Sequence, residues 1–341
     1  MGLLLVVLLL ATDTPSWEKQ EELHLTNIRQ VTKDFVRAGE GYFSPDGKQI
    51  IFQAEERDTG NPFYQIFVMD LAIGSYRRVS PGVGRTTCSY FRPDGKKIIF
   101  ASSHLDPNPQ KQYSGELAQR EIEKRTHKRR RYQWDFDPYM DIFEANPDGC
   151  DLRRLTDTPG YDAEGSYSPD GKEIVFCSKR DGNLELYIMD ADGKNVRQLT
   201  HAPGCYNGGP FFSPDGKRII FRSDRKKKDH LQLYVINRDG SGERALTDDL
   251  NWVFWAPYWY KDSKHIVYTA ADHSNPAERP NYDVWWMNVD TGKKIRITHA
   301  PGQDVLPVLN RDGNKLLWTS TRDGRQPAQL YIADFVPPKD D

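Results

Sequence analysis

An all-β chain, closed as a six-bladed β-propeller of four-stranded antiparallel blades, is what this sequence predicts, and three observations carry the prediction. The first is a turn, Ser-Pro-Asp-Gly, set between two apolar strands at Ser44, Ser168 and Ser213, as Arg-Pro-Asp-Gly at Arg92, and in eroded form at Tyr260 and Asn310. Serine at the first position, proline at the second and glycine at the fourth are the residues a type I turn asks for. The second is spacing. The positions of the turn proline, 45, 93, 169, 214, 261 and 311, lie 48, 76, 45, 47 and 50 residues apart, so units of one size carry one insertion of about 30 residues. The third is a strand ending in Leu-Thr or a close variant before each turn unit. Four strands per unit of this length is the signature of a propeller blade.

Each unit reads alike. Strand A enters the Ser-Pro-Asp-Gly turn and strand B leaves it as Lys-x-Ile-Ile-Phe. A loop leads to strand C, and a second turn such as Asp190 to Gly193 leads to strand D. Strand D is expected at Tyr76 to Ser80, Leu152 to Thr156, Val196 to Thr200, Arg244 to Thr247 and Ile295 to Thr298. One more copy, Ile28 to Thr32, stands before the first strand A, and the last unit stops after its strand C, Leu330 to Phe335. The N-terminal strand D therefore completes the sixth blade and closes the ring, which removes the edge that an open array leaves exposed.

Composition agrees. The chain has 341 residues, a net charge of −2, 12% aromatics, 26 Gly and 22 Pro, the mix of short strands and tight turns; no overall charge draws it to nucleic acid or to anionic lipid. Residues 1–24 read as a signal-peptide-like segment and tail, because Leu3 to Ala11 is an apolar run of nine, too short to span a bilayer, although no Lys or Arg precedes it. Residues 25–336 form the single propeller and 337–341 a tail. Cys88, Cys150, Cys177 and Cys205 are too irregularly spaced for a disulfide framework or a zinc site, and one disulfide is compatible with export.

These repeats resemble the TolB-like, WD-repeat-like propeller family, recognised by the Ser-Pro-Asp-Gly-Lys turn and the following Leu-Thr strand, over Ile28 to Phe335. In such propellers the A strands line a central channel, and the loops joining D to A and B to C share the top face, where ligands are held. The resemblance implies a secreted or periplasmic, monomeric module that binds an envelope or extracellular protein, a peptide or a glycan, with no nucleic acid and no membrane span. The Tol-Pal member carries an α/β domain before its propeller, whereas 27 residues precede Ile28 here.

On that layout, six residues before the Ser of each turn stand Ala38, Thr86, Asp162, Asn207, Phe254 and Asp304, and two further along stand Glu40, Cys88, Glu164, Gly209, Ala256 and Leu306. Glu40, Asp162, Glu164 and Asp304 are thus the candidate metal ligands, for a Ca²⁺ in the channel, since hard cations want several oxygens; Arg85 is the nearby base. The plainer reading gives these carboxylates to loop ends and channel water. The insertion, Ser102 to Asp137, is expected to project from the top with a helix over Glu116 to Tyr132, where Glu116 and Arg120 are spaced for an i,i+4 pair. Seven Lys or Arg between Arg120 and Arg131, then the aromatics around Trp134, read as a lid packed on the propeller. The ligand-binding candidates are Glu40, Arg85, His104, Trp134, Asp162, Glu164, Asn207, His273 and Asp304. Arg57-Asp58, Arg180-Asp181 and Arg322-Asp323 recur after strand B and read as turns capped by the Asp.

No Gly-x-Ser-x-Gly occurs, which sets aside a complete prolyl-peptidase-like enzyme. The catalytic alternative is a metal-dependent lyase or hydrolase acting on a carbohydrate, as in the oligogalacturonate lyases built on similar repeats. It draws on His104, His201, His273 and His299.

Overall fold

The computed structural model describes residues 16–128, 130, 136–324 and 327–339. The apolar run Leu3 to Ala11 and the candidate Trp134 lie outside the described residues. Six antiparallel sheets of four strands each are present among them. Blade I has strands A to D at Arg37–Phe43, Gln49–Glu55, Gln65–Asp70 and Tyr76–Arg78; blade II at Thr86–Phe91, Ile98–Ser102, Asp141–Ala145 and Arg153–Arg154. Blade III has them at Asp162–Tyr167, Glu173–Ser178, Glu185–Asp190 and Arg197–Gln198, and blade IV at Asn207–Phe212, Arg218–Ser223, Gln232–Asn237 and Arg244–Ala245. Blade V has Trp252–Trp259, His265–Asp272, Asp283–Asn288 and Lys294–Arg296. Blade VI takes Asp304–Leu309, Lys315–Ser320 and Gln329–Phe335 from the C-terminal end and Leu25–Gln30 from the N-terminal end. The ring closes as the repeat arithmetic expects, and the A strands meet their neighbours around a central axis.

Local chemistry explains the repeat. Ser44 donates to Asp46 at 2.6 Å while the Gln49 amide donates to the Ser44 hydroxyl at 2.9 Å, and Gly47 closes the turn at φ 70°. The Thr of each Leu-Thr works through its side chain: Thr200 Oγ1 accepts the Leu186 amide at 2.9 Å and donates to Glu185 at 2.6 Å. Thr156, Thr247 and Thr298 accept the matching amides of their own blades. The ladder of strand D therefore ends before the Thr, and the D strands are shorter than the sequence alone suggests.

Packing lies between blades rather than within one central core. Ile51 and Ile66 of blade I meet Ile98 and Phe100 of blade II, and Ile99 and Ile142 of blade II meet Ile174 and Phe176 of blade III. Each sheet is apolar on both faces because each is sandwiched, which is why strands B and C read as continuous apolar runs.

The insertion corrects one expectation. Its helix spans Pro109–Thr126, starting and ending earlier than Glu116 to Tyr132, and His127 stops it at φ 54°. Proline at the first turn presets the helical angle there. Tertiary anchors hold that turn despite Ser114 and Gly115: the buried Tyr113 hydroxyl accepts the Gly84 amide at 2.7 Å, and its ring packs on Phe63. Further along, Arg120 forks onto Glu55 at 2.6 and 3.1 Å and pairs with Glu116 at 2.8 Å. The helix thus lies on the top of blades I and II.

Candidate functional site at the channel mouth

In every blade, strand A breaks its register once. At that bulge one residue takes the left-handed conformation: Glu40 (φ 45°), Cys88 (53°), Glu164 (59°), Gly209 (58°), Ala256 (49°) and Leu306 (56°). These six equivalent residues line one small cavity on the axis, of about 30 Å³, enough for one or two waters. Two residues further down the strands, Tyr42, Tyr90, Phe211 and Tyr258 pack ring against ring with centroids 5.2 to 6.2 Å apart, and the Tyr90 and Tyr258 hydroxyls meet at 3.0 Å. The channel is thereby floored with aromatics below a polar chamber.

The chamber is built around Glu164 and Arg222. Glu164 accepts Arg222 Nη2 at 3.1 Å, the Tyr206 hydroxyl at 2.9 Å, the Tyr161 hydroxyl at 3.3 Å and the Gly209 amide. Arg222 also donates to the Tyr206 hydroxyl at 2.7 Å. Burial opposes the charge on Arg222, but Tyr206 and Glu164 outweigh it and hold the guanidinium protonated. Opposite stands Glu40, met by the Tyr42 hydroxyl at 3.2 Å. Burial pushes its carboxyl up to about 7, with Glu164 adding to the rise and Arg222 opposing it. Burial likewise pushes the Cys88 thiol up, reinforced by Glu40 and Glu164. This is a chamber with one fixed ion pair and one carboxyl poised near neutrality.

Of the residues singled out from sequence, Glu40 and Glu164 do converge. Asp162 and Asp304 do not join them: each faces an arginine of its own blade, Arg180 at 3.1 Å and Arg322 at 2.9 Å. Asn207 likewise accepts from Arg225 at 2.5 Å. Arg180 and Arg322 of the recurring set thus pair with strand A, whereas Arg57 donates to the Asp34 and Phe35 carbonyls, and Asp181 accepts the Tyr187 hydroxyl rather than capping a turn. The four proposed Ca²⁺ ligands are split between the axis and the blade interiors, and no cluster of three or more His, Cys, Asp or Glu able to hold a metal occurs among the described residues. Arg85 is not the channel's base. It stacks on the Phe63 ring at 3.9 Å and donates to Gln112 of the insertion at 2.8 Å.

His104 and His273 sit in different blades, and the His273 ring packs on His230 at 6.0 Å. His104 packs at a tilt on Phe143 at 4.4 Å and shares a bond with Ser102, and burial lowers its pKa. His273 meets the Tyr282 hydroxyl at 2.7 Å, in blade V. Arg222, the base that matters, escaped the sequence reading. Its signal was available: between Phe221 and Ser223 it takes the strand-B position that Gln53, Ala101, Cys177, Thr269 and Thr319 hold elsewhere, all uncharged. The insertion reaches the two tyrosines that bond Glu164 through Phe136, whose ring packs on Tyr161 at 5.3 Å and on Tyr206 at 6.1 Å.

Comparison with known proteins agrees with this architecture. Residues 151–278 match the TolB beta propeller domain. A stretch of 89 residues is 34% identical to the Tol-Pal system protein TolB of Nitratidesulfovibrio vulgaris, covering 26% of this chain and 20% of that protein. The chain spans a fifth or less of the length of the curated relatives it matches. Among solved structures, a protein of Agrobacterium tumefaciens provisionally named TolB superposes with a TM-score of 0.62 at 22% identity, covering 91% of this chain and 94% of that one. An oligogalacturonate lyase of Vibrio parahaemolyticus superposes at 0.55 with 14% identity, over 91% and 93%. Both likenesses are likenesses of fold.

Proposed function

We propose that this TolB-like six-bladed propeller is a binding and scaffold module that takes an envelope protein or peptide on its top face, with a polar or cationic group of the partner seated at Glu40. The observation that carries the reading is the floored chamber: a blind, polar recess whose Glu40 carboxyl is poised near neutrality beside the Glu164 and Arg222 pair. A partner cation at Glu40 holds that carboxyl ionised, so binding and deprotonation favour one another. The likeness to Tol-Pal system proteins supports an envelope partner and, with the apolar run Leu3 to Ala11, a periplasmic or secreted location. Among the described residues no helix is long and apolar enough to cross a membrane.

The test is site-specific photocrosslinking in the native host, from the top face at the exposed Tyr139 or from the opposite face at the exposed Lys172. A discrete envelope protein is expected to crosslink from Tyr139 and not from Lys172, and to be lost in Glu40→Gln. No adduct, or equal adducts from both faces, overturns the reading. Incubation with oligogalacturonate and Mn²⁺ is expected to form no ultraviolet-absorbing unsaturated product, and formation of that product would replace binding by lyase chemistry.

A further inference from the structure

Three blades fill the same slot with an arginine of their own. Arg180 lies over the rings of Phe176 and Tyr187 at 5.1 and 5.0 Å, donates to Ser178 at 2.8 Å and reaches Asp162 at 3.1 Å. Arg225 repeats this over Phe221 and Tyr234 at 5.6 and 4.6 Å, with Ser223 at 3.1 Å and Asn207 at 2.5 Å. Arg322 does so over Trp318 and Tyr331 at 5.0 and 5.7 Å, with Asp304 at 2.9 Å. A guanidinium between aromatic faces and an oxygen acceptor is thus a recurring component of the fold.

Blade V loses the arginine and keeps the strand-C ring of its wall, while Phe254 covers the strand-B ring, Tyr268, at 6.1 Å. Counting along strand B, Asp272 stands where Arg180, Arg225 and Arg322 stand, Ala270 replaces the Ser, and Phe254 replaces the acceptor on strand A. Trp285 holds the place of Tyr187, with Trp252 edge-on to it at 5.6 Å. A cavity of about 270 Å³ opens there, walled by Trp252, Trp285, Asp272, Glu278 and Asp283. Asp283 is tied to Arg296 at 2.7 Å, and Arg279, also on the wall, lies on the exposed loop with Asp272 and Glu278.

We infer that this blade V cleft is a socket for an arginine side chain supplied by a partner polypeptide. The inference stands apart from the channel reading, since it rests on the repeat and not on Glu40. One ring of the perpendicular tryptophan pair takes the guanidinium plane on its face, and Asp272 and Glu278 at the rim supply the acceptors that a strand-A residue supplies in blades III, IV and VI. Arginine is favoured over lysine because an aromatic wall beside carboxylate acceptors suits a planar guanidinium, as it does for Arg180, Arg225 and Arg322.

The test titrates the whole protein with the capped tripeptides Gly-Arg-Gly, Gly-Lys-Gly and Gly-Gln-Gly, read by calorimetry and by the indole N–H resonances of Trp252 and Trp285. The arginine peptide is expected to move both indoles and to bind at least about tenfold more tightly than the glutamine peptide. The double substitution Asp272→Arg with Ala270→Ser rebuilds the internal arginine. It is expected to abolish binding and raise Tm, while Arg279→Gln retains binding. Should the rebuilt chain misfold, Asp272→Asn with Glu278→Gln is expected to weaken binding about tenfold. Unmoved indoles, equal affinity for the lysine or glutamine peptide, undiminished binding by a folded rebuilt chain, or undiminished binding by the Asn/Gln variant each overturns the assignment.

Discussion

Glu40 is the residue whose chemistry is most exposed to test. Its carboxyl is pushed up to about 7 by burial, so between the ordinary carboxylate range and neutrality the folded chain holds a proton that the unfolded chain has released. Stability therefore falls as pH rises through that window, by on the order of 3 kcal/mol for a group so shifted. Asp283, pushed up to about 7 by burial, acts in the same direction. Glu40→Gln is expected to flatten part of the fall in Tm between about pH 5 and about pH 7, and identical slopes for variant and wild type would show that Glu40 does not titrate there. Arg222 has the opposite role, as the partner of a buried carboxylate. Arg222→Met removes the cation paired with the buried Glu164 and is expected to cost about 3–5 kcal/mol in urea unfolding; adding Glu164→Gln should restore most of it.

Among elements, the A-strand bulge is what turns a generic blade into a site. Five of its six residues hold a left-handed backbone without being glycine, and only Gly209 suits that conformation at no steric cost. A side chain at Gly209 would stand 2.5 Å from Arg222 Nη1. Gly209→Ala is thus expected to destabilise by about 1–3 kcal/mol and to disturb the Arg222 to Glu164 pair. Ala256→Gly relieves the same left-handed strain at φ 49° and is expected to gain about 1 kcal/mol. The insertion is the other element with a testable anchor. Replacing Tyr113 and Arg120 by alanine removes the Gly84 and Glu55 contacts, and limited trypsin digestion is expected to cut the basic stretch after Thr126 sooner while the propeller's own Tm changes little.

At the scale of the molecule, the ring is held shut by its two ends. Leu25–Gln30 pairs with Gln329–Phe335, and Glu21 ahead of it accepts the His299 and Ala300 amides at 2.7 and 3.0 Å and pairs with the buried Arg322 at 3.2 Å. Deleting residues through Gln30 exposes the edge of Gln329–Phe335 and is expected to yield oligomers by size-exclusion chromatography, whereas deletion through Ser16 should leave a monomer of unchanged Tm.

The sequence by itself determined the period, the blade count, the closure by the N-terminal strand and the place of the insertion. Each is written in short-range chemistry: Ser and Asp in the turn, Thr at the end of strand D, alternating and continuous apolar runs. It also brought Glu40 and Glu164 to one ring of equivalent positions. Only the tertiary structure decided what those positions meet. Asp162 and Glu164 are two residues apart, yet one turns to Arg180 inside its blade and the other to Arg222 on the axis, because the bulge at Glu164 redirects the chain. The aromatic floor and the cleft of blade V depend on side chains from strands far apart in sequence, whose meeting is set by the radius of the ring and by what fills the arginine position of each blade.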